Sequence, residues 1–216
     1  MRPLKIKKML SSTRLCCIIF RMIEIEIKAH AKNKNAIKST LNTIGKYEGF
    51  VVRHDYYYRH HNCFSYPARI RIEKSDNGQK IFLTHKNKSL IKDKSGVVSE
   101  KNEEKEAEIS EKAKEVLLSF FSESKIELYL EKEKRVETWK CAQDGFFVTA
   151  ELCTIKPIGD FIELEILVEE QNDEIEKRAR EALFAILKKL GAENDIEEKS
   201  YATLLKEEAR KIEIER

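Results

Sequence analysis

Glu24 and Glu26 stand either side of Ile25 in the segment Ile23-Glu24-Ile25-Glu26-Ile27-Lys28, and Lys28 closes the same face. Acidic pairs at the same i, i+2 spacing recur at Glu104/Glu106 and Glu163/Glu165, and basic pairs at Arg69/Arg71 and Lys132/Lys134. A lone strand of this kind has an ordinary explanation, with one face on the core and the other in water. Solvated faces mix signs within a strand, however, and here the sign is mostly segregated strand by strand. Arg and Lys match phosphate oxygens through charge-assisted hydrogen bonds. Carboxylates suit Mg²⁺ and Mn²⁺, which take carboxylate, phosphate and water oxygens. The residue types describe a metal–polyphosphate site.

The elements that carry these pairs alternate with period two, as strands do. Residues 23–28, 68–73, 126–134 and 161–166 read as strands, 55–58 has strand composition, and 104–109 alternates more weakly. Asp76-Asn77-Gly78 supplies a hairpin turn to a partner strand at 81–86. Residues 87–101 are polar and turn-rich and are expected to form a loop. Helical spacing appears at 33–46, ending on Gly45, and at 110–121 and 173–190, the last ending before Gly191. A final helix holds Tyr201, Leu204 and Leu205. The expected class is α+β in one domain. A closed antiparallel barrel would place the charged faces in its lumen and leave the aliphatic faces for the amphipathic helices to cover. An empty lumen of that kind would be repulsive or badly desolvated, and a polyanion with hard cations would relieve it.

Composition narrows the class. Hydrophobic residues make up 41% of the 216 residues, enough for a core, against 37% charged. No apolar run is long enough for a transmembrane helix. Five cysteines, at 16, 17, 63, 141 and 153, form no CxxC pair, which points to a reducing, cytoplasmic setting. Six basic residues and no acid occupy residues 1–21, so the chain's net +3 leaves the remainder acidic. That balance argues against a nucleic-acid-binding body. The leader, residues 1–21, is expected to be a disordered extension, with the domain at 22–206 and a charged tail at 207–216.

Glu24-Ile25-Glu26-Ile27-Lys28 resembles the E-x-E-x-K motif of the CYTH proteins, or triphosphate tunnel metalloenzymes. Asp55-Tyr56-Tyr57-Tyr58 is similar to the family's D-x-Y-Y segment, Arg69-Ile70-Arg71 to its paired-Arg strand and Thr84-His85-Lys86 to its T-x-K element. Glu104-Lys105-Glu106 resembles the E-x-E of the middle strand, and Lys132-Glu133-Lys134-Arg135 falls where the family has K-x-R. Ile158-Gly159-Asp160-Phe161-Ile162-Glu163-Leu164-Glu165 resembles L-G-x-F-x-E-x-E, and Ser200-Tyr201-Ala202-Thr203-Leu204-Leu205 the closing S-Y-x-x-L-L. The last two elements look most like the class IV adenylyl cyclase branch.

The resemblance implies an eight-stranded antiparallel tunnel that binds a triphosphate with Mg²⁺ or Mn²⁺. Carried over by position, Glu24, Glu26, Glu163 and Glu165 would hold metal, and Lys28, Arg69, Arg71, Lys86, Lys132, Lys134 and Arg135 phosphate. Glu24, Glu26 and Lys28 would be catalytic. The implied partner is a small triphosphate, without nucleic acid or membrane, and homodimers fit the family's habit. Three functions stay open: cyclisation of ATP, hydrolysis of tripolyphosphate, thiamine triphosphate or a nucleotide, and binding without turnover. The chain departs from the pattern at Cys153, where the family often has Asp, with Glu151 on the same strand face as a substitute. It departs again at Asn102, where an Arg is common and Lys101 is adjacent, and no His precedes Glu24.

Other residues carry less. His54, His60, His61 and His85 have no metal-ligand spacing. The Tyr56–Tyr58 run could stack on bases, but the acidic body argues otherwise. Trp139 is expected in the core or on its rim rather than against a base or thiazole ring.

Overall fold

The structure is a computed structural model that describes residues 22–60, 68–92, 98–169 and 172–214. The basic leader, His61 and Cys63 lie outside the described residues, as do the side chains of Lys86, Asn102 and Glu104. The strands are β1 (Met22–His30), β2 (Gly45–His60), β3 (Ala68–Ser75), β4 (Gly78–Lys92), β5 (Val98–Glu108), β6 (Ile126–Gln143), β7 (Phe146–Ile155) and β8 (Gly159–Glu169). The helices are α1 (Lys34–Ile44), α2 (Glu111–Glu123), α3 (Asp173–Lys189) and α4 (Tyr201–Ile214). None is long and apolar enough to cross a membrane.

All strand pairs are antiparallel, in the order β1-β5-β4-β3-β2-β6-β7-β8, and β1 pairs with β8 as well as with β5. The β1–β5 ladder is the shortest, three residue pairs from Glu24↔Asn102 to Glu26↔Glu100. Ser75↔Gly78 closes the expected hairpin around Asp76-Asn77. A second tight turn joins β6 to β7 through Asp144 and Gly145, both at positive φ (51° and 83°), the backbone a two-residue hairpin needs.

The aliphatic faces go outward, under helices. Ile23, Ile25 and Ile27 of β1, Val148, Ala150 and Leu152 of β7, and Ile162, Leu164 and Ile166 of β8 form one core with α1 and α3. The stripe Ala179, Ala182, Leu183, Ile186 of α3 closes onto it. Each large aliphatic side chain buried there contributes roughly 1.5–3 kcal/mol. The α3 termini are built to match. The Asn172 side chain accepts from the amides of Glu174 and Ile175, acids fill the first turn, and Lys188 and Lys189 lie in the last. Trp139 is wholly buried in this core, where its indole N–H donates to Asn42 at 2.9 Å. Gly45 ends α1 where a side chain would strike Cys141, since an added Cβ would lie 2.5 Å from its sulfur. On the far side α2 covers β3, β4 and the start of β6 through Phe121.

The expected loop at 87–101 is corrected. β4 runs on to Lys92, β5 begins at Val98, and eleven residue pairs join the two strands. Backbone hydrogen bonding holds this ribbon together, which a hydrophobic pattern does not register.

Candidate functional site

The inward faces of all eight strands line one cavity of about 480 Å³, with Ser200, Tyr201 and Ala202 of α4 adding to its wall. Six cations and seven glutamates are among its twenty-one described lining residues. They are sorted by position in the sheet. Arg53, Arg69, Arg71, Lys132 and Lys134 come from the adjacent strands β2, β3 and β6. The glutamates come from the opposite arc, β7, β8, β1 and β5, where Lys28 is the one cation among the described lining residues.

The strands also set the depth of each group. Alternate residues of β2 point inward as Tyr57, Asp55, Arg53 and Val51, at steps of about 7 Å; Asp55, Arg53 and Val51 face Lys132, Lys134 and Val136 of β6, and Val51 packs below the cavity. Outermost is Arg69, which donates to Thr84 at 3.2 Å and lies 3.6 Å from Glu106. Next comes Asp55, wholly buried between Arg71 (2.7 and 3.1 Å) and Lys132 (3.0 Å). These cations hold the Asp55 carboxyl well below its usual range, although burial opposes its ionisation.

The deepest layer holds Arg53, Lys134 and Lys28. Arg53 donates to both oxygens of Glu151 at 2.8 Å, and Lys134 to Glu151 at 2.9 Å and to Glu163. Burial works against charge on Glu163, yet Lys134 holds its carboxyl down at about 2. Lys28 is 4% exposed. It donates to the Lys199 carbonyl at 2.6 Å, lies 3.8 Å from Glu100 and sits 4.6 Å above the Tyr201 ring. Below this layer the same strand faces turn apolar. Val136, Cys153, Ile155 and Phe161 pack against Tyr201, Leu204 and Leu205, so α4 floors the cavity. Tyr201 meets Phe161 edge-on at 5.0 Å. Burial pushes the Cys153 thiol up to about 12, far from the thiolate a nucleophile requires.

Glu24, Glu26, Lys28, Arg69, Arg71, Lys132, Lys134, Glu163 and Glu165 therefore meet in one cavity. Arg135 does not. It points outward, is 59% exposed and bonds Glu133, because period-two alternation cannot place both 134 and 135 inside. The side chain of Lys86 lies outside the described residues. Lys101 also faces outward, to Glu176 of α3, and cannot replace a lumen arginine. Arg53, Asp55, Glu100 and Tyr201 line or underlie the cavity without having been singled out as ligands. Arg53 was legible as the residue two before Asp55 once the strand is extended upstream.

Glu26 faces Glu165 across one ladder and Glu100 across the other. Facing carboxylates repel unless a cation stands between them. The donors are all oxygen, which fits a hard divalent ion. Among the described residues, no three such groups are drawn together closely enough to hold one as they stand.

The match to family models falls on residues 22–201, to the CYTH domain. The chain belongs to the CYTH family. CYTH proteins bind triphosphates, generally with a divalent metal, and include adenylyl cyclase-like enzymes and triphosphatases. Among solved structures, the PH1819 protein of Pyrococcus horikoshii OT3 is 29% identical, with 86% of this chain and 99% of that one covered, at a TM-score of 0.69. The PH1012 protein of the same organism is 23% identical over 84% and 98%, at 0.61. HpAC1 from Hippeastrum, a candidate adenylyl cyclase with a dominant triphosphatase activity, is 16% identical over 86% and 95%, at 0.60. The latter two likenesses speak to the fold alone. The search of curated proteins finds no match.

Proposed function

We propose that this CYTH protein closes its eight strands into a tunnel that takes a triphosphate end-on and, with Mg²⁺ or Mn²⁺, hydrolyses it at the terminal phosphorus. The carrying observation is the sorting of charge by wall and by depth. Arg69, Arg71 and Lys132 lead inward to Arg53, Lys134 and Lys28 above an apolar floor. A chain of phosphates entering such a blind cavity lodges its terminal group deepest. Glu26 and Glu165 stand one step out from Lys28 and Glu163, beside that terminal group rather than far toward the mouth. Glu24, Glu26, Glu163 and Glu165 would hold the metal, which supplies charge neutralisation and activates water when bound. The chain's own cations orient the phosphates and balance the charge that develops on them.

Cyclisation of ATP, which needs the α-phosphorus at the reacting position, is the second reading. It is favoured by the 158–165 and 200–205 elements, which resemble the cyclase branch. The full chain with Mg²⁺ or Mn²⁺ is offered ATP, tripolyphosphate and thiamine triphosphate, with products separated by chromatography. Orthophosphate without cyclic AMP is the expected result. Cyclic AMP with pyrophosphate would establish the cyclase, and binding without any product would leave a binding module. The double variant Glu24→Ala, Glu26→Ala is expected to lose metal-dependent turnover, at a cost of several kcal/mol in barrier. Full activity in that variant would remove the metal assignment.

A further inference from the structure

Glu151 is the acid whose surroundings ask for a different role. It stands on the cavity wall with its side chain 12% exposed, accepts at both oxygens from one Arg53 nitrogen, Nη1, at 2.8 Å, and accepts a third bond from Lys134 at 2.9 Å, while Arg53 Nε donates to Glu73 at 2.8 Å. Directly across the β7–β8 ladder is another carboxylate, Glu163. Burying two facing carboxylates is unfavourable unless cations need them. Here the cations do: Lys134 is 4% exposed and Arg53 16%, too deep for water to satisfy. A carboxylate whose two oxygens are held by a guanidinium nitrogen and an ammonium shares its recognition chemistry with a phosphoryl oxygen pair. The seat also lies at the bottom of the depth series, immediately above Val136, Cys153 and Phe161. It is where the end of an entering phosphate chain arrives.

We propose that Glu151 is a resident anion, which fills the deep seat on Arg53 and Lys134 until the terminal phosphoryl group of the substrate exchanges with it. The proposal rests on the reading of the cavity as a triphosphate tunnel, and it assigns Glu151 a part other than metal ligand. Binding is then a competition. Together with Glu73 on Arg53 and Glu163 on Lys134, the carboxylate keeps the two cations folded inward and charge-balanced while the tunnel is empty, and it sets how strongly an incoming anion must compete.

Tripolyphosphate is titrated calorimetrically, with chelator present so that neither metal nor turnover contributes, into the wild-type chain and into Glu151→Gln. The neutral isostere keeps the shape and gives up the competing charge. A unit charge at contact distance in a partly desolvated site shifts binding by about tenfold or more, so Glu151→Gln is expected to bind at least that much tighter. Wild-type binding with equal or weaker affinity in a folded Glu151→Gln variant overturns the proposal and leaves the tunnel reading standing. No wild-type binding overturns both. If the variant does not fold, a crystal structure of the wild-type chain with tripolyphosphate decides. Expected there is a phosphoryl group on Arg53 Nη1 and Lys134 with the Glu151 carboxylate withdrawn from both. An unchanged Arg53–Glu151 pair with phosphate elsewhere overturns it.

Discussion

Asp55 has no exposed side-chain surface, yet it is ionised, because Arg71 on β3 and Lys132 on β6 flank it at 2.7 and 3.0 Å. Neither cation would remain deep in the cavity wall without it. Replacing Asp55 by Ala leaves two buried positive charges uncompensated, a change that costs about 3–5 kcal/mol when one partner of a buried pair is lost. Urea unfolding of Asp55→Ala is expected to show a loss of that size, and a loss under about 1 kcal/mol would mean that water reaches the pair. Cys153 teaches the opposite lesson. Its place on the β7 face aligns it with Glu151, but the cavity has already turned apolar at that depth, and the thiol is part of the floor.

Each strand serves two environments at once. β1 presents Ile23, Ile25 and Ile27 to α3 and α1, and Glu24, Glu26 and Lys28 to the cavity. The helices do not touch the chemistry, α4 excepted; they cover apolar strand faces and so fix which way the charged faces point. Leu183 of α3 is completely buried in that contact. Leu183→Ala is expected to destabilise the fold by roughly 2–5 kcal/mol, measured by chemical denaturation. The cavity residues lie on the other side of the sheet, so the folded variant is expected to keep its affinity for tripolyphosphate. A variant that stays as stable as the wild type would show that α3 is dispensable for the β1–β8 pairing.

Charge balance within the cavity makes the assembled fold sensitive to acid. Burial opposes the ionisation of Glu163, but Lys134 outweighs it and holds the carboxyl at about 2 against an ordinary 4.5. Glu151 and Asp55 are lowered for the same kind of reason. The folded state thus favours the ionised forms. The stabilisation from Glu163 is complete above about pH 4.5 and is lost as pH falls toward 2. Melting temperature followed by circular dichroism is expected to be level at mildly acidic pH and to drop steeply below about 4.5. A melting temperature that rises on acidification would mean that the carboxylates repel one another more than the cations hold them.

Periodicity made most of the elements readable, since period-two segments with one aliphatic face can only be strands with one covered side. The i, i+2 acidic and basic pairs named most of the cavity wall for the same reason: alternate residues share a face. Although the Asn172 cap is read from the structure, sequence also carried the bounds of α3, from 173 to just before Gly191. Three things were beyond it. The β4–β5 ribbon is held by backbone bonds between polar segments, and no hydrophobic pattern records those. The choice between Lys134 and Arg135 needed the phase of β6 relative to its neighbours, which the ladders to β2 and β7 set. The pairing of Arg53 with Glu151, 98 residues apart, and the floor made by α4 arise only when the curled sheet brings distant strands and the last helix to one place. Local spacing decides which face a side chain takes; strand order decides what it meets there.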